Sequence, residues 1–254
     1  MSRTTRRIAL MVALLSVLAL PGITTATHSW GGYHWARTSN PFTLKLGDNV
    51  STAWDPYLST TSSDWSVSTV LDTTIVAGSA NPRNCRPTAG RVQVCNAPYG
   101  NTGWLGVAQI WITGGVHITQ AAVKVNDTYF NTATYNTSAW RNMVMCQEVG
   151  HTLGLDHQDT NFYNANLGTC MDYTSDPSTN QHPNQHDYDE LVTIYSHLDS
   201  TTTALQTAPG RNADAAELGQ WGQLVASTNG GRTAVYVLDI GDGQQVVTWV
   251  IWAG

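Results

Sequence analysis

The chain has 254 residues, 41% apolar and 12% charged, with a formal net charge of −6. That length gives room for one sizeable domain, or one domain plus a small one, and the apolar content suffices for a core. The acidic balance and the lack of clustered Lys and Arg exclude nucleic acid as a partner, because phosphate binding needs such clusters.

At the N-terminus, Arg3, Arg6 and Arg7 precede an apolar run from Ile8 to Leu20, and Thr24-Thr25-Ala26 supplies small residues for cleavage. A membrane span needs about 20 apolar residues. This shorter run is expected to be a secretory signal over 1–26, with no stable membrane association after its removal. Cleavage would remove three arginines and no acids, taking the charge from −6 to −9. Four cysteines in an exported chain suggest two disulfides, with three possible pairings. Cys85–Cys95 and Cys146–Cys170 are the expected pairs.

The main domain is expected over 27–200, beginning with an aromatic lead-in at Trp30, Tyr33 and Trp35. Phe42 to Leu46 alternates as a strand. Ser51 to Trp65 reads as a helix, with Pro56 near its start. Leu71 to Ala77, Arg91 to Val94, Trp104 to Ile112 and His117 to Val125 read as strands, the last two joined by the hairpin signal Thr113-Gly114-Gly115. A helix is expected from about Ser138 to Leu153. Residues 158–181 form a polar loop, and a third helix is expected over 186–198, where Tyr188, Leu191, Val192, Tyr195 and Leu198 recur at helical spacing. The fold class is therefore α+β, with a mostly parallel mixed sheet and one antiparallel strand beside the cleft.

A connector is expected over 201–219. Residues 220–254 then form a small extension of three alternating runs, split by Thr228-Asn229-Gly230-Gly231 and by Gly241-Asp242-Gly243. Asn-Gly and Asp-Gly are strong hairpin signals, so this is an antiparallel meander. Three strands alone are marginal, and the meander is expected to pack against the main domain. Tyr236, Trp249 and Trp252 could form a sugar- or peptide-binding face, although core packing is the commoner use of such residues.

The chemistry concentrates in Cys146-Gln-Glu-Val-Gly-His-Thr-Leu-Gly-Leu-Asp-His157. A hydrolytic zinc site needs three protein ligands, an open position for water and a base. Gln147 and His151 are four residues apart, hence on one face of a helix. Glu148 is adjacent and free to act as the base. Gly154 lets the chain leave the helix sharply, so that His157 can swing back as a third ligand. Asp156 and Asp159 are either supports for the imidazoles or solvated loop acids.

These residues resemble the metzincins, zinc endopeptidases that include matrixins, astacins, serralysins and pappalysins. Their H-E-x-x-H-x-x-G-x-x-H signature is matched as Q-E-V-G-H-T-L-G-L-D-H, with Gln147 in place of the first histidine. By chance the E-x-x-H-x-x-G-x-x-H part occurs on the order of once in a million windows. Cys170-Met171-Asp172-Tyr173 matches the family's methionine turn, and Met171-x-Tyr173 the spacing of a tyrosine that can bind the metal or stabilise the oxyanion. The resemblance spans about residues 40–198, with its specific motifs confined to 147–173. It implies one catalytic Zn2+ on Gln147, His151 and His157, with Glu148 as general base and Tyr173 as oxyanion donor. The helix at 186–198 would be the family's closing helix.

The departure at Gln147 bears on the activity. An amide oxygen is a weaker zinc donor than imidazole, so affinity should fall. Gln147 could also face away, with Tyr173 or water completing the shell. A Cys146–Cys170 bridge would pin the ligand helix to the methionine turn and fix the site in advance. The resulting expectation is a secreted, monomeric zinc endopeptidase acting on protein or peptide. Its substrate would add in extended form along Trp104 to Ile112, and residues 174–182 would wall a specificity pocket. The alternative is a secreted pseudopeptidase or binding module on the same fold. His182 and His186 suggest a second metal site only weakly. His28, His34 and His197 carry no motif, and His117 merely begins a strand. No cysteine precedes the first strand, so a matrixin-type cysteine switch is not expected.

Overall fold

The structure, a computed structural model, describes residues 28–205 and 221–254. The expected signal segment 1–26 and the greater part of the connector lie outside the described residues.

The architecture is α+β around one mixed sheet. β2 (Phe42–Asn49) buries Leu44 and Leu46 on its inner face. α1 (Asp55–Trp65) follows, beginning four residues after Ser51, with Pro56 in its first turn. There the missing N–H of proline has no helical partner to lose. β3 (Leu71–Ala77) and β4 (Arg91–Ala97) both pair parallel with β2, on its two sides. β5 (Trp104–Thr113) and β6 (His117–Asn126) form the expected hairpin, and β6 pairs parallel with β4. Gly114 and Gly115 turn that hairpin with φ of 59° and 84°, a backbone region that favours glycine. A two-residue strand, β1 (His34–Trp35), pairs parallel with the start of β6. Two residues are too few to show a periodic pattern, which is why the sequence did not reveal it. The one-turn helix α2 (Asp127–Phe130), capped by Asn126, escaped for the same reason.

α3 (Ser138–Thr152) lies across β5 and β6 and packs on α1. Thr137 caps its start by accepting from Trp140 N. α4 (Gln185–Ile194) starts on a capping box between Asn184 and Asp187. It stops four residues before Leu198, which is 57% exposed and has no core to join. No described helix is long and apolar enough to cross a membrane.

The C-terminal meander does not dock as a separate layer. β7 (Gln223–Thr228), β8 (Thr233–Gly241) and β9 (Gln244–Trp252) continue the main sheet, whose order is β3-β2-β4-β6-β5-β9-β8-β7. β9 pairs antiparallel with β5 over nearly its whole length, as in Val107 with Val250 and Ile110 with Val247. A bare β5 edge would leave a row of backbone donors and acceptors unpaired. β9 supplies the pairing and is buried from Val246 to Ile251, as befits an inner strand. Trp249 faces the helices, while Trp252 and Tyr236 cluster with Trp221.

Both expected disulfides are formed, Cys85–Cys95 and Cys146–Cys170, with Cα separations of 5.9 and 6.0 Å. The second joins α3 to the turn at Met171. Replacing Cys146 and Cys170 together by Ser should cost about 3 kcal/mol, from the added freedom of the unfolded chain. Denaturant unfolding under oxidising conditions measures this, and an unchanged midpoint would show that the bridge does not stabilise the fold.

Candidate functional site

The site is built on the C-terminal half of α3 and the loop after it. Gln147, Glu148 and His151 are all buried in the helix. At Gly154 the chain turns with φ of +99°, and a Cβ there would lie 2.1 Å from Tyr33 O, so only glycine fits. The turn carries His157 back over the helix. His151 Nε2 and His157 Nε2 then face each other at 3.1 Å.

The outer contact of His151 decides its tautomer. His151 Nδ1 donates to Leu155 O at 2.9 Å, which leaves Nε2 with a lone pair. Burial, aided by the neighbouring His157, pushes the His151 pKa down to about 3, so the ring is neutral at any ordinary pH. His157 Nδ1 lies 3.2 Å from Asp156 Oδ1. Asp156 thus orients His157, the first of the two roles open to it in the sequence. Asp159 instead serves the loop, accepting from Asn161 N and Asn164 Nδ2.

Gln147 is fixed by the methionine turn. Its Nε2 donates to Cys170 O at 2.8 Å. A carbonyl can only accept, so the amide nitrogen must face it, and Oε1 is left on the other side. Oε1 is buried with no hydrogen-bond partner, and so are both carboxyl oxygens of Glu148. Burial raises the Glu148 pKa well above the usual carboxyl value. Orphaned buried acceptors of this kind are rare, since each costs about 1–3 kcal/mol.

Two glycines make room for these groups. A Cβ on Gly106 of β5 would sit 2.6 Å from Glu148 Oε1 and 2.7 Å from Val144 Cγ1. A Cβ on Gly150 would sit 2.6 Å from Met171 Sδ, so the small residue admits Met171 against the helix. Met171 is fully buried, next to the Cys146–Cys170 bridge. The sequence offered no sign of Gly106, because its role depends on which strand lies under Glu148.

Tyr173 packs against His157. Its hydroxyl lies 2.9 Å from His157 Nδ1, the nitrogen turned away from His151, and its ring is 3.9 Å from the His157 ring. Thr228 and Thr233 of the meander also hydrogen-bond it. In this arrangement Tyr173 packs against and hydrogen-bonds His157.

No family model matches this chain, and no curated protein matches it. The likeness to metzincins therefore rests on residues 147–173 alone.

The meander closes the site from above. Trp249 lies flat on His151, with ring centres 5.1 Å apart and planes 7° from parallel. β9 occupies the edge of β5 over Trp104 to Ile112, the stretch on which an extended substrate was expected to add. The edge is taken because this chain carries its own complementary strand. A cavity of about 400 Å³ remains beside Tyr173, bounded by Leu105, Tyr135, Trp140, Thr174, Ser175 and Trp252. Thr174 and Ser175 thus wall a pocket, as expected, but Pro177–Thr179 forms a short turn and Asn180 is buried against Asp172. His182 and His186 do not converge: His182 pairs with Asp64 at 2.7 Å, while His186 stacks on His28.

Gly106→Ala should destabilise the fold by about 1–3 kcal/mol through overpacking. Adding Glu148→Ala should recover part of that loss, leaving the Val144 contact. A denaturant double-mutant cycle tests this, and equal losses with and without Glu148 would show that its carboxyl does not lodge against β5.

Proposed function

We propose that this protein is a secreted zinc-dependent endopeptidase, with the metal held by His151 Nε2, His157 Nε2 and Gln147 Oε1. The observation that carries the reading is the facing pair of ring nitrogens. Zn–N bonds of about 2.0–2.1 Å set a tetrahedral edge of about 3.3 Å, close to the 3.1 Å seen between them. The unpartnered Gln147 Oε1 and Glu148 carboxyl supply a third donor and a base that has nothing else to bind. The donor set of two imidazoles and one oxygen suits zinc. Two disulfides agree with export into an oxidising compartment.

The bound zinc would polarise a peptide carbonyl and acidify water. Glu148 would take the proton of the attacking water and pass it to the leaving amine. Burial raises the proton affinity of its carboxyl, and a cation beside it would favour the ionised form, so the two effects oppose each other. Asp156 and Tyr173 hold the His157 ring, and the Cys170 carbonyl holds the Gln147 amide, so three donors are positioned before metal arrives.

Purified protein should hold zinc at the Gln147–His151–His157 centre and, once the meander is displaced, cleave casein or gelatin in a chelator-sensitive way. Glu148→Gln should lower turnover by at least about 100-fold while metal stays bound. Persistent cleavage by that variant would refute the assignment of the base. Gln147→His should tighten zinc binding while activity is retained.

The same geometry makes access conditional. Trp249 covers one face of His151 and β9 takes the β5 edge, so an extended peptide cannot add there, and we infer that the meander holds the enzyme latent. A cleavage site for a specific protease inserted within 206–220 should raise activity after nicking. Equal activity before and after nicking, with the meander shown to have dissociated, would rule out a gating role.

A further inference from the structure

A second convergence of imidazoles lies at another corner of the fold, among residues that carry no motif. His34 is in β1, His117 opens β6, and His197 and Asp199 lie on the segment leaving α4. Among the described residues, His34, His197 and Asp199 form a group able to hold a metal ion. His117 lies beside this group, bonded to the same Asp199, and is not part of it. His34 Nε2 stands 3.2 Å from His197 Nε2 and 3.6 Å from Asp199 Oδ1. The same carboxylate oxygen is 3.2 Å from His117 Nε2 and 3.8 Å from His197 Nε2. These separations bracket the tetrahedral edge of about 3.3 Å that zinc–nitrogen bonds impose. The rings meet edge to face, His34 with His117 at 5.0 Å and with His197 at 4.6 Å, so their nitrogens point inward instead of stacking.

The surrounding contacts fix each donor. His34 Nδ1 donates to Gly32 O at 2.7 Å, which leaves its Nε2 lone pair directed into the cluster. Asp199 Oδ2 is taken by Arg37, through Nη1 at 2.9 Å and the backbone N–H at 3.1 Å, so only Oδ1 faces the histidines. Arg37 also donates from Nη2 to His197 O, and its guanidinium lies 4.7 Å over the Tyr195 ring. One fully buried arginine therefore anchors both donors of the 197–199 segment. Outer partners of this kind orient the ligands of metal sites.

We propose that His34, His197 and Asp199 form a zinc site, separate from the centre at 147–157. Two imidazoles and one carboxylate suit zinc among the divalent metals. Three protein donors leave a fourth position for water. The His117 and His197 side chains are 31% and 50% exposed, which gives the ion a path in. The site would tie β1 to the segment leaving α4, and Asp199 in turn holds His117 at the start of β6. Trp35, the neighbour of His34, donates from Nε1 to Thr152 O at 2.9 Å, so the clamp reaches the end of α3.

The test uses the full chain with His151→Ala and His157→Ala, which silence the first centre. After chelator treatment and dialysis, this protein should take up one Zn2+ or Co2+ per chain. Co2+ should show the visible absorption of a tetrahedral site, and Zn2+ should raise the Tm. Adding His197→Ala should weaken Zn2+ binding by more than about 100-fold and abolish the Tm increase. No bound metal in the His151→Ala, His157→Ala protein would overturn the proposal, leaving the cluster as imidazoles joined by their own protons. Unchanged binding after His197→Ala would overturn it too. If the double variant does not fold, the wild-type chain should lose one metal equivalent on His197→Ala, and an unchanged stoichiometry would refute the site.

Discussion

Two imidazoles whose Nε2 atoms meet at 3.1 Å, in the interior and beneath a tryptophan, are the constraint around which the site is arranged. Two lone pairs cannot face each other at that distance without a proton or a cation between them. The His151 Nδ1 proton is committed to Leu155 O, and burial keeps that ring from gaining a second. His157 is held by Asp156 and Tyr173 on its other nitrogen. The protein thus fixes the outer side of each ring and leaves the inner sides to whatever lies between them. That separation of duties is how metal ligands are generally held.

Much of the surrounding structure serves to keep those groups in place. The Cys146–Cys170 bridge fastens α3 to the turn that carries Met171, and the Cys170 carbonyl fixes the Gln147 amide. Gly106, Gly150 and Gly154 are each small for a separate reason: to admit a carboxyl, to admit a thioether and to turn past Tyr33 O. In the proposed zinc site, a glutamine in the first ligand position would be less of a loss in such a setting. The weaker donor is already oriented, so less ordering entropy would be spent on binding an ion.

The meander changes the meaning of the cleft. Its inner strand completes the sheet by backbone pairing, and its tryptophan lies on His151, the proposed metal ligand. A segment that satisfies an otherwise bare strand edge stabilises the fold and shuts the site at once. In the proposed peptidase, latency and stability are thereby coupled through one strand.

The local chemistry was legible in the chain. Spacing put Gln147 and His151 on one helix face, Gly154 marked the exit, and both cysteine pairs and nearly every strand could be read from short patterns. The helix and strand patterns depend on neighbours within a few residues, where backbone geometry leaves few choices. The cysteine pairs span 10 and 24 residues and followed from there being only four cysteines and from where each one sits. Tertiary structure alone decided the rest. That Tyr173 backs His157, that Gly106 accommodates Glu148 and that β9 seals β5 follow from which strand lies beside which. So does the meeting of His34, His117, His197 and Asp199, whose positions share no spacing and which only the pairing of β1 with β6 and the return of the chain after α4 bring together. Sequence patterns report periodicity along one element, and contacts between elements far apart in the chain leave no such trace.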